Sequence, residues 1–433
     1  MVEKMDLTPL RGMRDFFPKD WVFRKKLLKA FEAASEKCGF LRYDTCVVDA
    51  YELFERKSGE EISDQIYDFH DKSDRHIALR PEITPTMVRL YTADKENLPY
   101  PAKIWSFGQC FRYERPTKGR YREHYQWNID IMGEKSVSAE AWILYTAVQV
   151  MNELGFDATD FRIRVSSRAL LSGYLTKLGV DEAVHAPLMT LIDKKEKVDA
   201  GWLKEEMGNL GLSETQIDTL FQLLDLHDLA EIEHLTGPSE DVQQLKDLLR
   251  YAKALGYADY IQIDPSIIRG LAYYTGIVFE AFDNKNQFRA LFGGGRYDNL
   301  FTRMTGKDIP ACGMGFGDGV IRELYEAKFG ESTGFTSVPF YVGYFDASLQ
   351  EPAMTLIRQL NAFGFDGDLA LSPQNPKKFF TAANKRRAQV AVYVAPEEYA
   401  RGEVVFKNME TGAQTVLSLA ELTADQVSAV LSI

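Results

Sequence analysis

In the first third of the chain, two segments space their apolar residues as helices do, and the residues between them include segments with the pattern of strands. Residues 20–38 and 137–154 place apolar side chains three to four positions apart, which predicts a helix over each range. LRYDTCVVDA after the first helix predicts a strand, and two short strands are expected around Ile66–Arg80. A further helix is expected over Thr84–Tyr91.

An arginine-rich hairpin is predicted between these helices. WSFGQCFRYE is rich in aromatic residues, as strands are, and Pro116–Gly119 has the composition of a turn. YQWNIDIMG then alternates with period two, which puts Gln126, Asn128 and Asp130 on one face. Two antiparallel strands joined by a basic loop are therefore expected.

The type of secondary structure that the sequence predicts changes twice in the rest of the chain. After the strand FRIRVSS, residues 168–255 contain only charged helical segments, which predict a helical insertion. Strand character resumes in YIQIDPSIIRGLAYYTGIVFEAF, where Gly270 is interpreted as a bulge. Residues 328–338 have the Gly, Ser and Thr content of a linker, and strands then alternate with helices to residue 433.

Composition narrows the class of protein. The chain has 433 residues, 45% hydrophobic and 26% charged, which suits a globular protein of two to four domains. No run of 18 apolar residues occurs, and the N-terminus does not resemble a secretory signal, so no membrane association and a cytoplasmic location are expected. The four cysteines lack metal-site spacing. A net charge of −12 argues against nonspecific coating of nucleic acid but allows one local basic surface.

The hairpin offers a set of groups suited to a small anionic ligand. Alternation places Arg112 and Glu114 on one sheet face, with Gln126 and Asp130 on the return strand. A fixed guanidinium binds phosphate in a bidentate manner. The alternative is a solvated hairpin with surface ion pairs, which is the usual state of exposed charges.

The segment FRYERPTKGRYRE resembles motif 2 of class II aminoacyl-tRNA synthetases in the form used by histidyl-tRNA synthetases. The resemblance implies that Arg112 holds the ATP α-phosphate and the amino acid carboxylate, with Glu114 and Arg120 also at ATP. It further implies that the loop contacts the tRNA acceptor end through Lys118, Arg120 and Arg122. Thr117 stands where many bacterial members have Gln.

Two further segments resemble the parts of that family that bind histidine. RPEIT alone would fit a capped helix start, but the resemblance implies that Glu82 and Thr84 bind the α-amino group. RGLAYYTG resembles the histidine-specific RGLDYYTG element, with Ala272 in place of aspartate. The implied histidine-binding residues are Glu82, Thr84, Arg112, Gln126, Asp130, Arg269, Tyr273, Tyr274 and Tyr297.

The segment ACGMGFGDGVIREL resembles motif 3, whose arginine stacks on adenine and meets the γ-phosphate, a place that Arg322 would take. With Arg112 and Arg269 it completes the implied catalytic set. Mg²⁺ is implied as the companion of ATP, but Ile321 and Asp318 depart from the family pattern and leave the metal ligands unassigned. GGG before RYD could be only a tight turn, whereas the resemblance gives it the role of admitting the amino acid.

The resemblance extends over nearly the whole chain, which is identified as a member of the histidyl-tRNA synthetases. It implies an α/β (α+β) fold with an antiparallel-sheet catalytic domain and an α/β anticodon-binding domain. The expected division is catalytic core 1–167, helical insertion 168–255, catalytic core 256–327, linker 328–338 and anticodon-binding domain 339–433. Motif 1, the helix and strand after residue 20, implies a homodimer, although Cys46 stands where proline is usual.

The implied reaction joins L-histidine to tRNA(His) through a histidyl-adenylate made with ATP. The basic helix around Lys377–Arg387 would meet RNA phosphates, although any α/β domain can carry such a helix. Two alternatives belong to other classes. One is a histidine-binding regulatory paralogue of the kind that partners ATP phosphoribosyltransferase, and the other is a nucleic-acid-binding module without catalysis.

Overall fold

The computed structural model describes residues 5–55, 64–196, 198–269, 273–331 and 338–431. Contacts divide the chain into two units. One comprises Phe23–Glu331 and the described residues before Phe16, and the other comprises Phe16–Val22 and the described residues after Glu331. Gly270, Ala272 and most of the predicted linker lie outside the described residues.

Helices and strands up to Glu331 follow the predicted order. The helices are α1 (Asp20–Lys37), α2 (Glu52–Glu55), α3 (Thr84–Asp94), α4 (Ser138–Glu153), α5 (Arg168–Lys177), α6 (Glu182–Ile192), α7 (Ala200–Asn209), α8 (Glu214–Leu224), α9 (Leu229–Thr236), α10 (Glu240–Ala254), α11 (Asn299–Thr305) and α12 (Asp318–Phe329). The strands are β1 (Leu41–Arg42), β2 (Val48–Ala50), β3 (Tyr67–His70), β4 (His76–Leu79), β5 (Ala102–Phe111), β6 (Glu123–Met132), β7 (Phe161–Ser167), β8 (Ile261–Ile263), β9 (Ile277–Asp283), β10 (Phe292–Arg296) and β11 (Ala311–Gly317).

An eight-stranded sheet forms the centre of this unit within the described residues. Its strand order is β1-β5-β6-β11-β10-β9-β7-β8. Every neighbouring pair is antiparallel except β1 with β5 and β7 with β8, at the two edges. The expected antiparallel-sheet core is therefore confirmed.

The strand predicted over LRYDTCVVDA is wrong as a single element. Its first two residues form β1 in the large sheet, and its last three form β2 in a three-stranded sheet of order β2-β4-β3. The buried Arg80 guanidinium lies between the two parts and donates from Nη1 to the carbonyl oxygen and hydroxyl of Thr45, at 3.2 and 3.0 Å. Thr45 lies in neither sheet, and these bonds hold it at the point where the chain passes from one sheet to the other.

The predicted hairpin is confirmed as β5 and β6, with Phe111 opposite Glu123 at the loop end. β5 ends at Phe111, so the strand alternation used to orient Arg112 and Glu114 does not apply to them. On β6 the alternation holds. Trp127 and Ile129 are fully buried in the core, and Gln126, Asn128 and Asp130 lie on the other face.

Helix α1 fixes the core face of β6. The Phe31 ring stacks on Trp127 with 4.8 Å between ring centroids. The Trp127 indole Nε1 donates to Ser35 Oγ at 3.0 Å, which satisfies a polar group that burial would otherwise leave without a partner. These two contacts with α1 hold Trp127 in the core, so the side chains at alternate positions of β6 face away from the core.

A buried ion pair joins β10 to α4. Arg296 Nε and Nη2 donate to the two Glu140 carboxylate oxygens, both at 2.6 Å, and Glu140 is fully buried. The remaining guanidinium hydrogens reach the carbonyl oxygens of Glu134 and Ser136. Burial of two charges is tolerated because the pair is bidentate and its other donors are satisfied. The pair holds the end of β10, immediately before Tyr297.

The helical insertion and the last helix of the unit are simpler. Helices α5 to α10 occupy Arg168–Ala254, and polar side chains cap them; Ser213 and Gln216, for example, form a capping box on α8. Helix α12 ends at Phe329, so it extends two residues into the segment predicted as a linker.

The second unit has its own sheet and core. Its elements are β12 (Phe340–Tyr344), α13 (Gln350–Ala362), β13 (Gly367–Leu369), α14 (Pro376–Lys385), β14 (Val390–Val394), α15 (Pro396–Ala400), β15 (Glu403–Asn408), β16 (Gln414–Ser418) and α16 (Ala424–Leu431). The sheet order is β13-β12-β14-β15-β16, with β12 parallel to both its neighbours. α13 packs on one sheet face and α14 on the other, as the strand–helix alternation predicted.

No helix among the described residues is long and apolar enough to cross a membrane.

Candidate active site

A cleft of about 580 Å³ opens over the large sheet. Strands β6, β9, β10 and β11 contribute to its walls, together with the loop between β5 and β6 and the end of α6. Arg112, Glu114, Arg120, Gln126 and Arg269 of the sequence-predicted site line it. The fold therefore brings together residues from both halves of the expected catalytic core, separated in sequence by the helical insertion.

Arg112 begins the loop that follows β5. Its backbone N–H donates to Arg122 O and its Nε to Pro81 O, each at 2.9 Å. Among the described residues the Arg112 side chain has no ion pair with a carboxylate. Its positive charge, fixed by the Nε bond, therefore remains available to an anion in the cleft.

Arg269 enters the cleft from a strained backbone position. Its φ of 62° is left-handed, a conformation that costs a non-glycine residue free energy and is found preferentially at functional sites. Nη1 donates to Glu280 on β9 at 2.7 Å. Its guanidinium carbon lies 5.8 Å from the centroid of the Tyr274 ring. The strain, the ion pair and the ring together determine where the guanidinium lies.

Glycines of β10 and β11 form the floor beneath these side chains. A Cβ at Gly293 would collide with Arg269 Nη1, and one at Gly315 would collide with Gln126 Nε2. At Gly313 a Cβ would overlap the Asp130 carboxylate. The floor is thus occupied by functional side chains that larger residues in the strands would displace.

Asp130 is a fully buried acid with one unpaired oxygen. Tyr297 Oη donates to Oδ1 at 2.5 Å, whereas Oδ2 has no hydrogen-bond partner among the described residues. Burial raises the pKa of Asp130 to about 7, although the Tyr297 hydrogen bond opposes the shift. Glu82 also raises the Asp130 pKa because it is a second carboxylate nearby. A buried acceptor of this kind is costly unless a ligand supplies a donor.

Three buried tyrosines surround this acid, and we call them the tyrosine cluster: Tyr273, Tyr274 and Tyr297. The Tyr273 ring lies 5.0 Å from the Tyr274 ring and 5.9 Å from the Tyr297 ring, centroid to centroid. Tyr273 Oη donates to Glu82 Oε2 at 2.8 Å. The hydroxyl on Asp130 belongs to Tyr297, while Tyr274 lies beside Arg269.

Polar contacts link the cleft to the start of α3. Gln126, which lines the cleft, donates from Nε2 to Asn128 Oδ1 at 2.7 Å. Asn128 in turn donates to Thr84 Oγ1 at 3.4 Å, in the first turn of α3. Thr84, two residues after Glu82, is therefore connected to the inner side of the cleft.

The loop between β5 and β6 holds most of its charged side chains in contacts within the protein. Arg120 pairs with Glu114 at the cleft, and Arg122 donates from Nε to Glu114 O at 3.1 Å. The Arg122 guanidinium also lies over the Tyr113 ring, 4.0 Å from its centroid. Lys118 remains largely exposed, with Glu323 3.2 Å from its Nζ. Of the three residues expected at the tRNA acceptor end, Lys118 extends furthest into solvent.

Arg322 is not brought into the cleft. Its Nε donates to Glu326 Oε1 one turn further along α12, at 2.8 Å. The residues of α12 and its N-cap that line the cleft are Gly317, Gly319 and Val320. The catalytic and ATP-binding roles expected of Arg322 stay predictions.

Asp318, a departure from the motif 3 pattern, anchors the start of α12. Its carboxylate accepts from Arg14 Nη2 and from Tyr125 N at 3.0 Å, and from Arg24 Nη1 at 3.3 Å. The Arg14 guanidinium lies 3.8 Å from the centroid of Tyr121. This buried network ties the N-terminal segment, β6 and α12 together beside the cleft.

Sequence reasoning missed three residues near the site. Arg289 lines the cleft from the loop between β9 and β10. His124 also lines it, and burial together with the charge of Arg112 lowers the pKa of His124 to about 3, which keeps the ring neutral. Tyr43 is buried with no hydrogen-bond partner for its hydroxyl within the described part of the chain, and burial and Asp130 raise its pKa. Arg289 lay outside every motif, and His124 and Tyr43 occupy positions of motifs 2 and 1 to which the resemblance assigned no role.

The cleft supplies carboxylates that suit a metal ion bound together with a nucleotide. Within the described residues no group of three His, Cys, Asp or Glu side chains could enclose a metal. Glu114 and Glu280 nevertheless present carboxylates to the cleft. Mg²⁺ commonly uses one or two carboxylates and completes its shell with water and phosphate oxygens, so this donor set fits Mg²⁺ delivered with a nucleotide.

Two family models match the chain. One, described as histidyl-tRNA synthetase, matches residues 12–317, and one described as anticodon binding domain matches residues 338–425. Among curated relatives, the chloroplastic/mitochondrial histidine–tRNA ligase of Arabidopsis thaliana is 41% identical over 421 residues, or 97% of this chain and 87% of that protein. The histidine–tRNA ligase of Opitutus terrae is 34% identical over 94% of both chains.

Solved structures share the fold. The histidyl-tRNA synthetase of a Nostoc species superposes with a TM-score of 0.83 at 21% identity, covering 98% of this chain and all of that one. A structure from Bacillus halodurans, described as an ATP phosphoribosyltransferase regulatory subunit/histidyl-tRNA synthetase, gives 0.76 at 20% identity, covering 91% of this chain and all of that one. At these identities the likeness establishes the fold alone.

Proposed function

The chain belongs to the histidyl-tRNA synthetase family, and we propose that it charges tRNA(His) with L-histidine through a histidyl-adenylate formed in the cleft. The enzyme is a histidine–tRNA ligase that uses ATP. One observation carries the assignment of histidine to this site: the unpaired Oδ2 of buried Asp130 within the tyrosine cluster. An imidazole N–H is a donor of the right size to reach such an oxygen inside an aromatic pocket.

Histidine would lie between Asp130 and the cleft. Asp130 accepts the imidazole N–H, and the tyrosine cluster encloses the ring. Glu82 and Thr84 bind the α-ammonium, and Gln126 directs the backbone of the substrate. What supports this arrangement is the chain of contacts from Gln126 through Asn128 to Thr84, and from Tyr273 to Glu82. Rejection of other amino acids follows because a ligand without the N–H leaves Asp130 buried and unpaired.

Adenylate formation needs no nucleophilic side chain from the protein, because the histidine carboxylate attacks the α-phosphorus of ATP. Arg112 and Arg269 would hold the carboxylate and the α-phosphate in line and neutralise the charge that develops there. Their support is geometric, since both line the cleft and both are fixed by a second contact. Glu114 and Arg120 would contact ATP beside them. Mg²⁺, held by Glu114 or Glu280 with the phosphates, would supply further charge neutralisation.

The acceptor end and the anticodon arm of the tRNA would contact different units of the protein. Lys118, exposed on the hairpin loop, would contact the acceptor end, with Arg120 and Arg122 shaping the loop. In the second unit, Lys377, Lys378 and Lys385 are exposed on α14 and would contact the anticodon arm. The anticodon-binding family match over residues 338–425 supports this second contact.

The regulatory paralogue is the second candidate, because a structure carrying that description shares the fold. The curated relatives with histidine–tRNA ligase names, together with the anticodon-binding match, favour charging of tRNA instead. A cytoplasmic location is part of the proposal, and the free state of all four cysteines supports a reducing compartment.

A homodimer is also part of the proposal. In the three-stranded sheet, Val48, Tyr67, Phe69, Ile77 and Leu79 share one face by register. Val48 and Phe69 are 41% and 45% exposed. Exposed apolar side chains gathered on one sheet face are typical of an interface.

The proposed function predicts that adenylation and charging separate in full-length variants. Arg269→Ala should reduce histidine-dependent pyrophosphate exchange by ~10²–10³-fold, because it removes a charge aimed at the transition state. Lys377→Glu with Lys378→Glu should leave exchange intact and weaken aminoacylation of tRNA(His). Arg358→Glu, exposed on α13 across the sheet, is the matched control and should change neither assay. Absence of histidine-dependent exchange in the wild-type enzyme would reject the function.

Histidine recognition by Asp130 predicts a pH dependence. The pKa of Asp130 is raised to about 7, so the carboxyl is protonated below that pH and ionised above it. The ionised form accepts the stronger hydrogen bond, so the KM for histidine should fall as pH rises through about 7. Asp130→Asn should lose this dependence and show a KM about tenfold above wild type at pH 8, with little difference at pH 6.

Histidine itself titrates near this range, and the Asn variant retains that titration, so the comparison isolates Asp130. The KM for ATP should not change. A parallel pH profile in the two proteins would assign Asp130 a structural role.

The dimer proposal predicts the mass of the active enzyme. Light scattering at micromolar concentration should give twice the chain mass of 49.2 kDa. Phe69→Asp should shift the species toward monomer because it puts a charge on the shared apolar face, whereas Lys253→Asp on α10 should not. A fully active monomeric wild type would contradict the proposal.

A further inference from the structure

The structure assigns a role in binding the terminal phosphates of ATP to Arg289, a residue outside every motif identified in the sequence. This inference rests on the proposed function, since it names the part of ATP that Arg289 would contact.

Most cationic side chains of the cleft have a carboxylate partner. Arg120 pairs with Glu114, Arg269 with Glu280, and Lys195 with Asp225. Within the described residues, Arg112 and Arg289 have no such pair. Arg112 still uses its Nε on Pro81 O, whereas the Arg289 guanidinium has no hydrogen bond to any described residue. Arg289 is exposed, and it is the cleft-lining arginine that has no protein partner for its guanidinium among the described residues.

The backbone that carries Arg289 is held firmly. It lies in the loop between β9 and β10, and buried Asp283 accepts from the backbone N–H groups of Gln287 at 3.0 Å and Phe288 at 2.9 Å. Leu291 N donates to Ala281 O at 2.8 Å on the other side. The backbone at Arg289 is therefore ordered before any ligand arrives, so binding has to order only the side chain.

The neighbours of Arg289 locate it within the cleft. Burial first, and then the positive charge of Arg120, lower the pKa of Arg289, while Glu114 opposes the shift. The same two loops touch at Lys118, whose Nζ lies 5.6 Å from the centroid of the Phe288 ring. Arg289 thus lies beside the Glu114–Arg120 pair, at the hairpin-loop side of the cleft and away from the tyrosine cluster.

With histidine bound at Asp130 and its carboxylate at the α-phosphate of ATP, the two substrates together span the cleft. The phosphate end of ATP then lies toward Arg289. Adenine is neutral and has no charged acceptor for a guanidinium. The β- and γ-phosphates carry charged oxygens that can accept hydrogen bonds from Arg289. Arg322, expected by resemblance at the γ-phosphate, pairs with Glu326 and is not among the residues that line the cleft. Arg289 provides a cation for these phosphate oxygens from the loop between β9 and β10.

The test compares ligands that differ only in the terminal phosphates. Calorimetric titration of full-length Arg289→Ala with ATP, inorganic pyrophosphate and AMP should show about ten- to a hundredfold weaker binding of the first two. AMP should bind as it does to wild type, because it lacks the groups that Arg289 contacts. Arg289→Lys should recover part of the loss, and Arg250→Ala, at an exposed arginine on α10, should bind all three ligands normally.

Equal weakening of ATP and AMP in Arg289→Ala would overturn the inference in favour of an adenine or α-phosphate contact. Unchanged ATP binding would also overturn it. These measurements use no histidine, so failure of the inference is separable from failure of the proposed function. The latter would appear as a wild-type enzyme that binds ATP but exchanges no pyrophosphate with histidine present.

Discussion

The absence of side chains on neighbouring positions of β10 and β11 is the constraint on which the site depends. Gly293, Gly313 and Gly315 leave space over the sheet, and functional side chains from other elements occupy it. Arg269 lies over the first, Asp130 over the second and Gln126 over the third. A sheet built from ordinary residues would have filled this volume with its own side chains, as sheet faces normally do.

That constraint also explains how charges can be concentrated there. Asp130 is accommodated in full burial because Gly313 opposite it leaves room for both the carboxylate and the Tyr297 hydroxyl. Each charge at the site is then either paired or kept for a ligand. Arg269 has Glu280, and Arg296 has Glu140, whereas Asp130 Oδ2 has no protein partner in the described chain. Unpaired buried groups cost stability, and substrate binding can recover that cost.

Much of this architecture could be predicted from the sequence, because it depends on local patterns. The period-two alternation in β6 identified the buried Trp127 face, and the strand–helix alternation identified the second unit. Long-range contacts were not predictable in this way. Arg80 divides the strand expected over residues 41–50, and no local pattern encodes its bonds to Thr45. The same limit applies to the ion pair between Arg322 and Glu326 on α12, which the motif does not encode.

Substitution of the floor glycine beneath Asp130 tests the central claim most directly. Gly313→Ala should raise the KM for histidine in pyrophosphate exchange by about tenfold or more, because the new methyl group displaces the Asp130 carboxylate. The KM for ATP should remain close to wild type. Gly208→Ala on α7, where a Cβ meets no atom within 4 Å, is the matched control and should leave both constants unchanged. A folded Gly313→Ala enzyme with a normal KM for histidine would contradict the account.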